Sequence, residues 1–519
     1  MTTAAAEGSI TTGGGGGGRG EPPRRRLVWL IVAAITLAAG GLRLAAARDE
    51  FWIDEIASWR FARLAPSAPQ IFYGLHSDNN HHLNTLALYL LGDRRDWTIY
   101  RLPPVLFGTA SVWLAAVLAR QRRPDRTGAP HAAREESSGD TPGGMSGAAR
   151  RDGGDDAAAV IAAMLVGFSY LLVHYGSEAR GYAYGFFFSL LALFALRRAI
   201  DRPSSLARLA FAGCGALALL SHLSFLYVYA GLAAWSAIQL SRDGRGRLPL
   251  RLTQLHGPFL AFFALMYAID LSRMEVAGGP RLSLFGVLGE TAAAVVGGPP
   301  LLAALVIGVT LELAIVYLAR QRRAEWVLYA VACVAAPALL LLATRHPYVY
   351  PRYFALAVPY YFLLIAGAMG DLWRRGRSWQ TACALLLCLF LAGSAVNHRA
   401  FFTGGRRGQY LEALRHIEAS TAGRPATVGS TRDGRNQMVV EFYARHLGRP
   451  DAIAYVTKDR WTAAGATEHP EWLIADAPTP AADIPPEIAS LLARYELQRT
   501  FPHSGLSGVH WHLYRRRPE

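Results

Sequence analysis

From about Leu27 to Val396 the chain alternates long apolar runs with short arginine clusters. From about Asn397 onward, apolar and polar residues interleave as in a soluble protein. A helix of roughly 20 apolar residues matches the hydrocarbon thickness of a bilayer. The first such run follows Arg24, Arg25 and Arg26 and ends near Ala47, a length that suits a retained anchor better than a cleaved signal peptide. Further spans are predicted at roughly 101–121, 157–175, 181–199, 206–222, 223–241, 253–270, 299–319, 325–344, 353–371 and 379–396, about eleven in all. The pattern predicts an α-helical polytopic membrane domain over 27–396, preceded by a disordered tail at 1–26 and followed by a separate domain at 397–519.

Arginine placement supplies an orientation, because cytoplasmic loops are enriched in Lys and Arg. Clusters at Arg24–Arg26, Arg120–Arg123, Arg197–Arg202, Arg242–Arg251, Arg320–Arg323 and Arg374–Arg377 mark every second junction, and the hairpins near Gly176, His222 and Pro347 carry isolated arginines only. The expected topology has the N-terminus in the cytoplasm and the C-terminal domain outside, in the plasma (inner) membrane. Residues 122–156, rich in Gly, Ser, Arg and Asp, read as a disordered cytoplasmic insertion. Residues 48–100 form a long outer loop, in which 82–92 is too short to span and is expected to lie on the membrane surface as a helix. In the C-terminal part, period and turn signals predict helices at 409–422, 436–446 and 486–495 and strands at 426–429, 452–456, 472–475 and 509–514, a small α/β domain.

Composition agrees with this division. Of 519 residues 52% are hydrophobic and only 18% charged, against about 25% in ordinary soluble chains. The net charge of +15 would suit nucleic acid, but the arginines sit at the ends of apolar runs instead of along one face, so no nucleic-acid partner is expected. Cys214, Cys333, Cys383 and Cys388 all lie in apolar segments without C-x-x-C spacing and read as small buried hydrophobes.

Ionisable groups near membrane depth are costly and therefore candidates for function. In the expected topology they gather at the outer side: Asp54 and Glu55 after the first span, Glu178 and Arg180 in an outer hairpin, Arg352 and Tyr353 at the start of a late span, and His81, His82, Asn84 and His222 at the same level. A carboxylate can deprotonate an acceptor hydroxyl. An arginine can hold a phosphate and stabilise it as it departs. Nucleotide sugars are not normally available outside the cytoplasm, so a phosphate-linked donor there would be lipid-borne. The same residues are equally compatible with a structural ion pair at Asp54 and a headgroup-anchoring Arg352. A transporter or lipid flippase, and a non-catalytic envelope-assembly protein, are the rival classes. No internal repeat of the kind transporters carry is evident.

Four motifs taken in order carry a resemblance: Trp52-Ile53-Asp54-Glu55, His81-His82-Leu83-Asn84 with Arg101-Leu102-Pro103, Ser177-Glu178-Ala179-Arg180-Gly181-Tyr182, and Pro351-Arg352-Tyr353 followed by Pro359. Over 27–396 the chain resembles the polyprenyl-phosphate-sugar-dependent glycosyltransferases of the GT-C fold, and among them the protein O-mannosyltransferase and aminoarabinose-transferase type (glycosyltransferase family 39 and its relatives). The resemblance implies a membrane enzyme that moves a sugar from a polyprenyl-phosphate donor to an extracytoplasmic lipid, glycan or protein. It implies Asp54 as catalytic base or acceptor-orienting carboxylate, with Glu55 beside it and Glu178 as a second carboxylate near the reaction centre. It further implies Arg180 and Arg352 as phosphate holders, Tyr353 as lining the donor site and His82 as matching the family's His-Pro-Pro-type position; Tyr182, in the third motif, and His222, at the same level, complete the expected substrate-binding set. Leu83 and Asn84 stand where the family has prolines, which leaves the acceptor open. Asp54-Glu55 does not match the Asp-x-Asp metal motif of other GT-C branches, so no divalent cation is expected.

Overall fold

The computed structural model describes residues 23–121, 147–242, 245–276, 282–344, 349–404, 406–421, 423–449, 451–462, 469–477, 494–503 and 505–518. The tail at 1–22, the insertion up to 146, the hairpin around Pro347 and the expected helix over 486–493 lie outside them. Among the described residues, eight helices are long and apolar enough to cross a membrane: Arg25–Ala46, Thr98–Arg120, Tyr182–Asp201, Leu248–Arg273, Pro300–Arg320, Glu325–Ala343, Pro351–Trp373 and Arg377–Thr403. The shorter apolar helices are His82–Leu91, Ser205–Ser221, Phe225–Ser241 and Leu284–Val296. This mostly helical architecture is consistent with a polytopic membrane protein. Large apolar side chains such as Leu37, Leu301, Leu342 and Leu389 stand exposed on the outward helix faces, as lipid-facing residues would. Inside, small residues let helices approach closely: Gly370 lies against the Gly154 carbonyl, and Gly40 against Thr109.

Several elements depart from the sequence reading. The expected span at 157–175 is broken: helix Gly147–Phe168 stops at Ser169, and helix Tyr170–Tyr175 follows. A break inside an apolar bundle frees backbone carbonyls that need donors. Arg43 supplies two, to Gly167 O at 3.0 Å and Val166 O at 3.1 Å, and His398 Nε2 lies 3.1 Å from Phe168 O. That helix also takes in the last ten residues, 147–156, of the expected disordered insertion. Its third turn is held by ion pairs, Asp156 with Arg120 at 3.0 Å and Asp155 with Arg374 at 3.5 Å. The last long helix runs on past Asn397 to Thr403, with Asn397 Nδ2 donating to Ala293 O at 2.8 Å. Helix Leu284–Val296 lies between expected spans and was not anticipated.

The C-terminal part carries a five-stranded sheet of order β2-β1-β3-β5-β4, with β1 Ala426–Ser430, β2 Ile453–Tyr455, β3 Trp472–Ala477, β4 Tyr495–Phe501 and β5 His510–Arg516. Strand β1 is parallel to both β2 (Ala426 beside Ile453) and β3 (Val428 beside Trp472). Strand β5 is antiparallel to β3 and β4. Helix Asp433–Ala444 makes the crossover that parallel strands require. Tyr495 opens β4 and does not end a helix; β4 escapes a pattern reading because only its two ends, Tyr495 and Phe501, are buried. The sheet does not stand apart from the helical domain. Val428, Val439, Trp472 and Trp511 share one buried cluster with Phe51, Trp52 and Ile56 of the 48–100 loop, and Phe51 stacks on Phe442 at 5.8 Å.

Candidate active site

Helix Ile53–Leu64 starts at the acidic motif, and its first turn sends the two adjacent carboxylates in different directions, since successive helical residues point about 100° apart. Glu55 turns inward. Its Oε2 accepts the Trp52 N–H at 3.3 Å, its Oε1 accepts Arg101 Nε at 2.7 Å and the Ala179 N–H at 2.6 Å, and Arg101 Nη2 also bonds Oε2. Neither Glu55 nor Arg101 has solvent-exposed surface. Four donors fill this carboxylate, so it cannot meet a substrate hydroxyl; the catalytic role expected of Glu55 is replaced by a structural one. Arg101 extends the same clamp to the Ala47 and Glu50 carbonyls, at 3.1 and 2.7 Å.

Asp54 faces the other way and keeps 24% of its side chain exposed. Arg180 Nη1 reaches its Oδ2 at 2.5 Å, and Arg352 Nη1 reaches the same oxygen at 3.4 Å. Arg180 Nη2 also contacts Asn79 Oδ1 and lies 3.0 Å from His81 Nε2. Asn79 Nδ2 in turn donates to the Asp54 carbonyl at 2.9 Å. Both guanidiniums lie over the Trp52 ring, at 5.4 and 5.9 Å. Tyr182 packs under Arg180 at 5.3 Å, Tyr353 under Arg352 at 5.9 Å, and Tyr350 lies nearer to Arg352 still, at 4.4 Å. His222 stacks against His81 and Tyr182, each at 4.8 Å. Burial and the charge of Arg180 push His81 well below the usual histidine range, so its ring adds no positive charge. Two guanidiniums thus share one carboxylate, and the excess positive charge favours a further anion.

Two other expected site residues lie elsewhere. Glu178 has no exposed surface. Its Oε1 accepts Ser507 Oγ at 2.6 Å and Arg407 Nε at 3.3 Å and lies 3.2 Å from His174 Nε2. Burial alone would push the Glu178 carboxyl up. The hydrogen bond from His174 and the guanidiniums of Arg407 and Arg180 outweigh that and hold it below the usual carboxylate range. It is a buried anchor bonded through Oε1, and its Oε2 has no hydrogen-bond partner among the described residues. His82 belongs to a separate group: its Nε2 lies 2.9 Å from Asp270 Oδ2, and His76 Nδ1 lies 2.8 Å from Asp270 Oδ1. Its neighbour His81 takes the place beside Arg180 that was expected of His82.

The residues that sequence reasoning missed are Asn79, Arg101, Arg407 and Asp270. Arg101 stands in a motif that the sequence singles out, but nothing local says which carboxylate it meets. Among the described residues no group of three or more His, Cys, Asp or Glu side chains could hold a metal ion. Compared with protein-family models and with curated proteins, the chain finds no match in either.

Proposed function

We propose that the chain is a membrane glycosyltransferase that moves a sugar from a polyprenyl-phosphate donor to an acceptor outside the cytoplasm, in the plasma membrane, with its N-terminus inside and its C-terminal domain outside. The observation that carries the reading is the Asp54–Arg180–Arg352 group: one partly exposed carboxylate whose Oδ2 is shared by two guanidiniums, at 2.5 and 3.4 Å. In this reading the donor phosphate takes up the excess positive charge of the two arginines. Oδ1 of Asp54 then receives the proton of the acceptor hydroxyl as that oxygen attacks the anomeric carbon. The bond from that carbon to the phosphate oxygen breaks, and its electron pair leaves with the lipid phosphate, which Arg180 and Arg352 stabilise. Tyr182, Tyr353, His81 and His222 pack around the two guanidiniums.

The test is transfer of labelled sugar from a panel of polyprenyl-phosphate donors in membranes holding the full chain, wild type beside Asp54→Asn. Wild type should transfer label from at least one donor. Asp54→Asn should lose about 100-fold or more, the usual contribution of a general base. Full activity in Asp54→Asn would remove the base assignment, and no transfer from any donor by folded wild type would remove the reading itself.

A further inference from the structure

The loop between β4 and β5 leaves the C-terminal domain and enters the helical one. Leu506 is buried in the same apolar cluster as Tyr175, Tyr182 and Leu356, and Tyr175 Oη donates to its carbonyl at 3.1 Å. Ser507 is 3% exposed and donates to Glu178 Oε1 at 2.6 Å, with His174 Nε2 2.8 Å from the same hydroxyl. Gly508 has φ +97°, and a Cβ there would fall 2.0 Å from the Arg407 carbonyl oxygen, so only glycine lets the loop turn at this depth. Arg407 binds the same place from a second side: its Nη2 donates to His174 O at 2.7 Å and to Ser177 Oγ at 2.8 Å.

What these groups grip is the short turn that carries Arg180. Glu178 is held by Ser507 and Arg407. The Ala179 N–H is held by Glu55 at 2.6 Å, and its carbonyl by Asn84 Nδ2 at 2.6 Å. The Arg180 N–H closes back on Glu178 O at 2.7 Å. Glu178 is therefore fixed by the C-terminal domain and Ala179 by the 48–100 loop, and the Arg180 backbone is closed onto Glu178 by the turn itself. A second line runs from the Leu506 carbonyl through Tyr175 to Tyr182, whose ring packs 4.7 Å from Tyr175 and 5.3 Å from the Arg180 guanidinium.

We propose that the loop at 505–508 is a positioning finger: Ser507, acting through Glu178, sets Arg180 at Asp54, so the anion site is complete only while the C-terminal domain is docked. The inference deepens the reading given above, because it makes the C-terminal domain a working part of the phosphate site. Ser507 touches no substrate and is a positioning residue. Its hydroxyl is one of the donors on Oε1, the one oxygen through which this fully buried carboxylate is bonded, and loss of such a hydrogen bond to a charged group leaves it held by Arg407 and His174 alone. Glu178 must then shift toward its remaining donors, carrying the backbone of Arg180 with it.

The test measures binding of undecaprenyl phosphate, which needs no knowledge of the sugar, to the full chain in nanodiscs, alongside amide hydrogen exchange. Ser507→Ala should weaken binding about tenfold and speed exchange at Ala179 and Arg180, with exchange in the sheet at Val428 and Ile474 unchanged. Ser507→Thr, which keeps the hydroxyl, should restore both. If Ser507→Ala is not recovered folded, Leu506→Ala, which loosens the finger without removing a donor from Glu178, is read in the same way. Wild-type binding and local exchange in the alanine variant would overturn the proposal while leaving the transferase reading intact. If wild type binds no undecaprenyl phosphate, the lipid-phosphate reading fails; local exchange at 179–180 then decides the positioning link alone, faster exchange supporting it and unchanged exchange overturning it.

Discussion

Asp54 and Glu55 are neighbours of the same chemistry, and their different fates are decided by which arginine reaches each. Glu55 meets Arg101 in a space closed to water, with both side chains 0% exposed, whereas Asp54 stays open to solvent between Arg180 and Arg352. Removing one partner of a buried ion pair leaves an uncompensated charge and costs about 3–5 kcal/mol. Glu55→Gln should therefore lower the melting temperature of the detergent-solubilised protein well below that of Asp54→Asn, and its activity should fall in step with the folded fraction. Asp54→Asn should lose activity while remaining folded. A thermal scan of both variants beside a transfer assay separates the two roles; equal melting temperatures would place Glu55 with Asp54 in the site.

At the scale of elements, the turn from Gly176 to Gly181 is the critical one. Gly181 sits where a Cβ would lie 1.8 Å from the Ser221 carbonyl oxygen and 2.9 Å from the His81 Cβ. Backbone cannot yield as a flexible side chain would, so the end of helix Ser205–Ser221 and the start of helix Tyr182–Asp201 approach closely only over glycine. Gly181→Ala should push these helices apart, move His81 from Arg180 and abolish undecaprenyl phosphate binding. Gly213→Ala, where nothing lies within 4 Å of the added Cβ, should leave binding unchanged. Wild-type binding by both variants would show that the close approach at Gly181 is not needed. The sequence marks Gly181 as part of a motif, but its neighbour across the gap, Ser221, is a matter of how two helices pack.

At the scale of the molecule, the C-terminal domain rests on the end of the first helix through Asp49 and Glu50. Asp49 Oδ2 accepts the Arg407 N–H at 2.8 Å, and Glu50 Oε2 accepts the Leu411 N–H at 3.0 Å. Burial raises the Glu50 carboxyl, the Leu411 N–H opposes this, and the charge of Asp49 adds to it, with Tyr410 and Tyr443 also beside it; the result is a pKa pushed up to about 7. Between about 4.5 and 7 the folded protein then holds a proton that the unfolded chain has lost, so this group's contribution to stability falls as pH rises through that window. Buried histidines such as His81, held below their usual range, act in the opposite sense. The difference between wild type and Glu50→Gln isolates Glu50: the variant should gain stability relative to wild type as pH rises from 5 toward 8. A constant difference across that range would show that Glu50 is not held protonated at the junction.

The sequence by itself determined most of the long apolar helices, because length and apolarity are local properties that a bilayer measures one helix at a time. It also determined most of the C-terminal strands, whose periodicity is local too, and it brought forward Asp54, Arg180 and Arg352 as ionisable residues at the ends of apolar runs. Only the tertiary structure decided that Glu55 and Glu178 are buried anchors, that His81 and not His82 joins the site, and that the span before Tyr170 breaks at Ser169. Each of those outcomes depends on a partner far away in the chain: Arg101 for Glu55, Ser507 and Arg407 for Glu178, Asp270 for His82, and Arg43 and His398 for the broken helix. Hydrophobic length is written along the chain, whereas the pairing of buried charges is fixed by which distant donor the packing brings within about 3 Å.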